Sequence, residues 1–173
     1  LSFTSKKTMQ IAQKLYEGVN IGSKRVGLIT YMRTDSVRIS DSALEDVRSW
    51  IGKNFPNDLP EKPVEYAVGK KAQDAHEAIR PTYTEYTPDY VKEYLSRDEL
   101  RLYQLIWEAF VSSQMKGAKC LTTSVDIKAD EALFRASSTK VTEKGFYNTL
   151  FFLVNQQDKF YIEQVNYGSL ICE

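Results

Sequence analysis

The chain has 173 residues, 23 basic and 23 acidic side chains, and apolar and charged fractions of 42% and 27%. These values are typical of a globular protein that buries a core in one domain or one and a half. No apolar run approaches the roughly 20 residues that cross a bilayer, and no signal peptide is visible, so we expect no membrane partner. Because the chain opens on Leu1, we expect it to be a piece of a longer polypeptide.

Cysteine usage and the charge distribution narrow the classes further. Cys120 and Cys172 lie too far apart for a CxxC metal site, and two cysteines give no disulfide framework, so reduced thiols are expected. The first 40 residues hold seven Lys or Arg and two acids, and the remaining 133 are net acidic. A local positive patch can hold phosphates in a neutral chain, although such clusters are usually solvated helix faces. Net charge therefore does not exclude nucleic acid as a partner.

The first predicted element is a helix over residues 5–17, followed by a loop over 19–25 and a short strand over 26–32. The helix is indicated by apolar residues at helical spacing and by Gly18, which stands where a helix ends. Its apolar stripe consists of Met9, Ile11, Ala12, Leu15 and Tyr16.

Residues 27–36 read GLITYMRTDS and carry the most informative side chains of the chain. In an extended segment successive side chains alternate faces, so Tyr31, Arg33 and Asp35 would point the same way. A phenol beside a guanidinium suits attack on a phosphate ester, with a fixed cation facing the anionic centre. The plainer alternative is a strand tyrosine beside a surface ion pair.

A second helix is predicted to begin at residues 40–42, which offer N-caps, and three prolines between residues 56 and 63 predict a loop after it. Its inward-facing side chains would be Ala43, Val47, Trp50 and Ile51. Residues 75–79 would form one helical turn or more, ending near Arg80 because Pro81 disfavours the helical conformation before it.

Two further helices are predicted, over residues 88–95 and from the capping box at residues 96–99, which read SRDE. The long helix carries an aromatic stripe that indicates a core face rather than a surface for stacking bases. That stripe consists of Tyr103, Ile106, Trp107, Phe110 and Gln114.

The pattern changes after Gly117. Val125, Ile127 and Ala129 alternate with polar residues, as in a half-buried strand, and further strands are predicted over 132–141, 147–154 and 159–166. The chain therefore divides into a mainly helical domain over residues 1–118 and a β segment over 119–173, which is an α+β fold.

Three segments resemble the type IA DNA topoisomerases, in that family's order. Residues 5–18 (SKKTMQIAQKLYEG) resemble the helix before the active-site tyrosine, 27–36 resemble the tyrosine motif, and 73–82 (QDAHEAIRPT) resemble a segment downstream of it. The resemblance spans about residues 3–118. Three matches in order are more specific than one.

The resemblance implies roles for three of these residues. Tyr31 would attack a phosphodiester of single-stranded DNA, and Arg33 would stabilise the charge that develops at the phosphate. His76 would contact the same phosphate, because an imidazole can donate a hydrogen bond to a phosphate oxygen.

Five more residues are candidates through the same resemblance. Arg80 would either bind phosphate or brace Glu77. Thr34, Asp35 and Lys7 complete the candidate DNA-binding set. Asp35 would position the arginine two residues before it or a neighbouring loop, and the alternative is a turn or cap residue before the second helix.

The resemblance also implies an architecture and partners. The helical domain, with winged-helix or CAP-like elements, would be mounted on a β-rich arch that helps enclose a hole wide enough for DNA. The complete enzyme would cleave one strand through a 5′-phosphotyrosine link, pass a strand and reseal it without ATP, relaxing negative supercoils.

The rest of the site would lie outside this chain. In the family, Mg²⁺ and a catalytic lysine belong to a Toprim domain, which nothing here resembles. We therefore expect no cofactor in this chain, no DNA relaxation by it alone, and two partners: DNA, chiefly single-stranded, and the Toprim domain of the same polypeptide. The expected location is the cytoplasm, on the nucleoid.

Two other classes share part of this pattern. Tyrosine recombinases also use Tyr, Arg and His on phosphodiesters, but their tyrosine comes last, whereas Tyr31 comes first here and His76 to Arg80 is spaced HxxxR rather than HxxR. A non-catalytic winged-helix-like DNA-binding module is also compatible with short helices and a small sheet. Such a module would tolerate Tyr31→Phe, and fold alone does not decide between the two.

Overall fold

The structure is a computed structural model that describes residues 1–66, 76–129 and 132–150. The chain divides into two compact units, Leu1–Met115 and a second that begins at Lys116. The predicted boundary after residue 118 lies close to this division, and the assignment of the second part to an arch stays a prediction.

The first unit is mainly helical, with one small β-hairpin. Its helices are α1 (Ser5–Glu17), α2 (Asp41–Asn54), α3 (Pro88–Val91) and α4 (Arg97–Ser113), with a 3-10 turn at Pro56–Asp58, and its strands are β1 (Val19–Ile21) and β2 (Lys24–Val26). The predicted helices over 5–17, from residues 40–42 and from the capping box are confirmed, whereas α3 is shorter than the predicted 88–95.

Helix α1 buries a narrower face than its sequence predicts. Ala12 and Leu15 are buried, but the side chains of Met9 and Tyr16 are 38% and 42% exposed. The helix ends at Gly18, whose φ of 114° lies in the region that other residues rarely adopt. The chain can therefore leave α1 directly into β1.

The prediction of a loop over 19–25 and a strand over 26–32 is wrong. Strands β1 and β2 pair antiparallel around a two-residue Gly22-Ser23 loop, with Gly22 at a φ of 60° as the first position of a type II′ turn requires. Within residues 27–36, Ile29 forms an isolated β-bridge with Pro81. The tyrosine segment, residues 27–36, therefore pairs with residues 78–82 instead of extending the hairpin.

The predicted helical turn over 75–79 is wrong for residues 76–79, and residue 75 lies outside the described residues. The backbone of this segment bonds to distant residues instead of closing a turn. Ala78 N–H donates to the carbonyl of Arg38 at 2.8 Å, and the carbonyl of Arg80 accepts from Thr30 N–H at 2.9 Å. These pairings satisfy the groups that a helix would have used.

Helix α4 provides the centre of the core, as its aromatic stripe predicts. Ser96 and Glu99 form the reciprocal capping box at its start. The buried indole of Trp107 donates to the carbonyl of Thr84 at 3.0 Å, and its ring meets that of Trp50 edge to face, with centroids 4.9 Å apart. Aromatic packing therefore joins α2 and α4.

The second unit contains a two-stranded antiparallel ladder, β3 (Lys119–Ala129) and β4 (Ala132–Glu143). Both predicted strands are confirmed, but their apolar side chains are not half-buried as expected. Leu121, Val125, Ile127 and Val141 are 61%, 52%, 55% and 43% exposed. The described residues of this unit do not provide a layer that covers them.

The strand predicted over 147–154 is wrong for its described part. Gly145–Asn148 forms a 3-10 turn, because Tyr147 N–H donates to the carbonyl of Lys144 at 3.0 Å. Residues 151–154, and the strand predicted over 159–166, lie outside the described residues. Helices with small antiparallel sheets confirm the α+β class, and none of the described helices combines the length and apolarity needed to cross a membrane.

A candidate active-site cleft at Tyr31

The tyrosine segment is held between the end of α1 and residues 78–82. On one side Leu28 N–H donates to the carbonyl of Leu15 at 2.8 Å. On the other side Thr30 N–H donates to the carbonyl of Arg80 at 2.9 Å, and Thr82 N–H donates to the carbonyl of Leu28 at 3.0 Å. Backbone hydrogen bonds on both sides therefore position the residue that follows, Tyr31.

Gly27 allows this close approach to α1. A Cβ atom at this position would lie 2.6 Å from the backbone carbonyl oxygen of Tyr16, closer than real Cβ atoms come to backbone. The carbonyl of Gly27 also accepts a hydrogen bond from the Thr82 hydroxyl at 2.5 Å. The glycine at the start of the motif is therefore required by the contact between the two segments.

Tyr31 lines a cleft of about 760 Å³ whose walls come from the hairpin, the tyrosine segment and residues 76–86. Tyr31 is 39% exposed, so the residue is accessible from the cleft. Its ring lies between two others, with centroids 5.5 Å from Tyr16 and 5.7 Å from His76. Contacts of this kind favour a defined ring orientation.

His76 is a predicted site residue whose ring the structure brings next to that of Tyr31, with centroids 5.7 Å apart. Both residues line the cleft, although they are far apart in the sequence. The rings meet at an interplanar angle of 43°, so the imidazole is tilted over the phenol rather than stacked on it. The phenol and the imidazole therefore lie side by side in the same cleft.

From Tyr31 to Ser36 the exposure of successive side chains alternates, as the sequence predicts for an extended segment. Tyr31, Arg33 and Asp35 are exposed, whereas Met32 and Ser36 are buried. This alternation occurs without a strand. Arg33 and Asp35 do not pair with each other, so the surface ion pair of the plainer alternative is wrong.

Arg33 does not belong to the cleft lining that contains Tyr31. Its side chain is exposed and makes no hydrogen bond or ion pair with any described residue. The guanidinium is therefore free to contact an anion. Its role as the charge stabiliser, and the positioning role of Asp35, stay predictions.

Thr34 organises the loop after Tyr31. Its Oγ1 accepts the backbone N–H of Ser36 at 3.0 Å, and Ser36 Oγ in turn accepts the N–H of Arg38 at 3.2 Å. These local side-chain to backbone bonds are those that turn loops use. The hydroxyl hydrogen of Thr34 is still available as a donor, and its DNA contact stays a prediction.

Arg80 braces Glu77 in this structure. Its side chain is 13% exposed, its Nη2 lies 2.7 Å from Glu77 Oε2, and its Nη1 donates to the carbonyl of Pro81 at 3.0 Å. Burial acts to raise the pKa of Glu77, but hydrogen bonds from Arg80 and Ser40, with the nearby charges of Arg80 and Arg38, outweigh it and lower that pKa. Of its two predicted roles, the bracing one is therefore the one that is observed.

Lys7 is not brought to the cleft. It pairs with Asp98 at 2.6 Å and lies over the ring of Phe3, near the start of α1. Tyr16, which does line the cleft, lies about 13 Å further along the helix axis, at 1.5 Å per residue. A DNA contact of Lys7 stays a prediction and would be separate from the cleft.

Most of the cleft lining is not among the site residues that the sequence predicts, and Tyr16, Lys24 and Arg25 are three examples. The sequence pattern assigns Tyr16 to an apolar stripe and Lys24 and Arg25 to a loop, yet all three line the cleft. The Gly22-Ser23 pair between two short runs is a hairpin signal that would have placed the two cations beside the motif. For Tyr16 we find no such signal, because its exposure depends on packing.

The acidic and ligating side chains of the described residues decide whether this part of the chain fits a metal ion. Among them, no three His, Cys, Asp or Glu side chains come together as a group that could hold an ion. This described part of the chain therefore does not fit a Mg²⁺ site.

Comparison with known proteins adds independent observations. A family model described as DNA topoisomerase matches residues 1–171. The chain is 57% identical to DNA topoisomerase 1 of Treponema pallidum over 150 residues, covering 87% of this chain and 20% of that protein. It is 53% identical to DNA topoisomerase 1 of Xylella fastidiosa strain Temecula1, covering 84% of this chain and 18% of that one.

A solved structure agrees with the sequence relatives. Full-length topoisomerase I from Thermotoga maritima superposes with a TM-score of 0.73 at 38% identity, over 87% of this chain and 24% of that chain. The chain spans about a fifth of the length of the curated relatives it matches. The similarity therefore covers nearly all of this chain and a small part of each relative.

Proposed function

The chain belongs to the bacterial type IA DNA topoisomerases, and on that premise we propose that Tyr31 is the nucleophile with which a longer polypeptide cleaves and rejoins one DNA strand. The observation that carries the proposal is the accessible phenol of Tyr31 in a cleft, with the His76 imidazole beside it. DNA is the proposed substrate, in its single-stranded form.

The proposed step is a transesterification at phosphorus. Tyr31 Oη bonds to the phosphorus and its proton passes to solvent, while the bond to the 3′ oxygen breaks and that oxygen takes up a proton. The 5′ end stays attached to the protein. Because one phosphate ester replaces another, resealing needs no ATP, and the covalent link keeps hold of the broken end.

Charge stabilisation is needed because a free phenol, with a pKa of about 10, is almost entirely protonated at pH 7. A guanidinium favours both a developing phenolate and the extra negative charge on the pentavalent phosphorus. We assign this role to Arg33, whose side chain is exposed two residues after Tyr31. His76 would donate a hydrogen bond to a non-bridging oxygen of the same phosphate.

The remaining functions belong to parts of the longer polypeptide. In this proposal a Toprim domain supplies the Mg²⁺ ligands and the second half of the site, and strand passage with relaxation of negative supercoils requires the whole assembly. A cytoplasmic location on the nucleoid belongs to the same proposal and rests on the family alone.

The test is Tyr31→Phe in the parent polypeptide. Incubation with an end-labelled single-stranded oligonucleotide, followed by denaturation, should give a covalent adduct through a 5′ phosphate for the unchanged protein and none for the variant. Tyr16→Phe is the matched control, because it removes a neighbouring hydroxyl from the same cleft, and it should retain the adduct.

Two outcomes would contradict the proposal. An adduct that persists in Tyr31→Phe, with native folding, would support the non-catalytic DNA-binding module instead. Robust Mg²⁺-dependent relaxation by the isolated 173-residue chain would contradict the assignment of the second half of the site to another domain.

A further inference from the structure

The cleft contains two cations that the proposed chemistry does not use. Lys24 and Arg25 stand on β2, immediately before the tyrosine segment, and both line the cleft together with Tyr31 and His76. Both side chains are exposed, and neither makes an ion pair with any described residue. Cations in this state are available for an anionic ligand.

The charge of the cleft favours an anion. Among the residues that the structure describes, the charged ones lining the cleft are Lys24, Arg25 and Glu77. The Glu77 carboxylate is already paired with Arg80, with Nη2 and Oε2 2.7 Å apart. Since Glu77, the one acid of the described lining, is paired, this described lining carries an excess of positive charge, although Arg33 lies outside it.

The hairpin holds these two cations in place. Arg25 lies opposite Asn20 and Lys24 opposite Ile21 in the ladder, and Val19 and Ile21 are buried against the unit. The stem of Arg25 passes over Gly18, where an added Cβ would lie 3.0 Å from Arg25 Cγ. The cost of ordering the guanidinium is therefore partly met before any ligand binds.

We propose that Lys24 and Arg25 bind a backbone phosphate of the DNA strand that enters the Tyr31 cleft, next to the phosphate under attack. The inference rests on the proposed function and extends it to a second anchoring point. A guanidinium binds a phosphate through two parallel hydrogen bonds, and an ammonium adds a point charge. Contacts of this kind position the strand and do not read its sequence.

The test uses the double variant Lys24→Gln with Arg25→Gln, which keeps much of each stem and removes both charges. Its matched control is Lys53→Gln with Lys62→Gln, two exposed lysines outside the cleft. Binding of the 173-residue chain to a fluorescent single-stranded oligonucleotide is followed by anisotropy between 50 and 200 mM salt, with thermal unfolding as the check on folding.

The expected result is a weaker complex with a flatter salt dependence. The slope of log K against log salt should fall in magnitude by about 0.7 for each phosphate that the variant no longer neutralises. The weakening should be the same for a thymine-only and a mixed-sequence oligonucleotide. The control variant should keep the slope of the unchanged chain.

Failure of this inference is distinguishable from failure of the proposed function. The phosphate site is overturned if the slope of log K against log salt is the same for the Lys24→Gln/Arg25→Gln variant and the unchanged chain. It is also overturned if the unchanged chain shows no measurable binding at 50 mM salt. In the parent polypeptide the Lys24→Gln/Arg25→Gln variant should need a higher protein concentration for half-maximal covalent adduct, whereas Tyr31→Phe should form no adduct at any concentration. An adduct in Tyr31→Phe would overturn the nucleophile and leave the phosphate site standing.

Discussion

Thr30 and the backbone of Arg80 are joined in both directions. Thr30 Oγ1 accepts the N–H of Arg80 at 3.0 Å, and Thr30 N–H donates to the carbonyl of Arg80 at 2.9 Å. The same hydroxyl donates to the carbonyl of Ala78 at 2.7 Å. These three bonds fasten the residue before Tyr31 to the segment that carries His76, and so they set the spacing of the cleft.

Thr30→Val should therefore destabilise the first unit. The substitution keeps the shape of the side chain but leaves a partly buried N–H and a partly buried carbonyl without a partner, which costs about 1–3 kcal/mol. Urea unfolding measures the difference. Thr139→Val is the control, because the Thr139 hydroxyl bonds only to exposed Thr122 in the β3–β4 ladder. An equal loss of stability in both variants would contradict a special role of the Thr30 hydrogen bonds to Ala78 and Arg80.

Gly27→Ala should also destabilise the chain, by a different mechanism. The new methyl group would lie 2.6 Å from the carbonyl oxygen of Tyr16, and backbone cannot move aside as a flexible side chain can. We expect the free energy of unfolding to fall by about 1–3 kcal/mol, as for other overpacked positions.

The control for this position is Gly117→Ala, where an added Cβ would meet nothing within 4 Å. Its free energy of unfolding should change by less than about 0.5 kcal/mol. If Gly27→Ala were equally neutral, the close contact between α1 and the tyrosine segment would be refuted.

Arg80→Lys should show that a lysine cannot replace the arginine at this position. The planar guanidinium of Arg80 contacts Glu77, the Pro81 carbonyl and Ser40 at once, which the ammonium of a lysine cannot do. The charge of the Glu77 carboxylate would therefore be stabilised less well. The expected cost is about 1–3 kcal/mol, less than for a fully buried pair because both side chains keep some exposure.

Arg135→Lys is the matched control for Arg80→Lys. Arg135 also makes two hydrogen bonds to one carboxylate, that of Asp126, but the side chains of this pair are 65% and 46% exposed. This substitution should change stability by no more than about 0.5 kcal/mol. Similar costs for both substitutions would argue against a special role of burial at Arg80.

Glu99→Gln should reduce stability at neutral pH and have little effect in acid. Burial acts to raise the pKa of Glu99, but hydrogen bonds from Lys14 and Ser96 outweigh it and lower that pKa below the ordinary 4.5. Because the folded-state pKa is the lower one, the carboxylate stabilises the fold above the unfolded-state pKa. That contribution is lost as pH falls through the folded-state pKa.

The glutamine keeps the capping-box acceptor and removes the charge that faces Lys14. The two proteins should differ by about 1 kcal/mol at pH 7 and converge as the pH falls through the lowered folded-state pKa of Glu99. Denaturant unfolding at several pH values measures this. A difference that is independent of pH would contradict the ion-pair interpretation.

The helices were predictable where the residues that specify them lie within a few positions of each other. The boundaries of α1 and the capping box of α4 follow from residues within one turn of each helix end. The hairpin was missed although Gly22-Ser23 indicated it, and the helical turn at residues 76–79 failed because its backbone groups bond across the fold to Thr30 and Arg38. Pairing of that kind leaves no periodic pattern in the segment itself.

The candidate site shows the same division. Resemblance in three short segments led to Tyr31, Arg33 and His76, and the structure brings His76 to Tyr31 while leaving Arg33 outside the cleft lining. Lys24 and Arg25 entered the site only through the β1–β2 hairpin, since nothing in their own residue types distinguishes them from other surface cations.

By itself the amino-acid sequence determined most of the helices, because caps and apolar spacing act over a few positions. Through the resemblance of its motifs it also predicted a class of chemistry and a candidate nucleophile. The tertiary structure alone decided which side chains face Tyr31. That outcome depends on hydrogen bonds between segments far apart in the chain and on a glycine contact with α1, and neither can be read from a single segment.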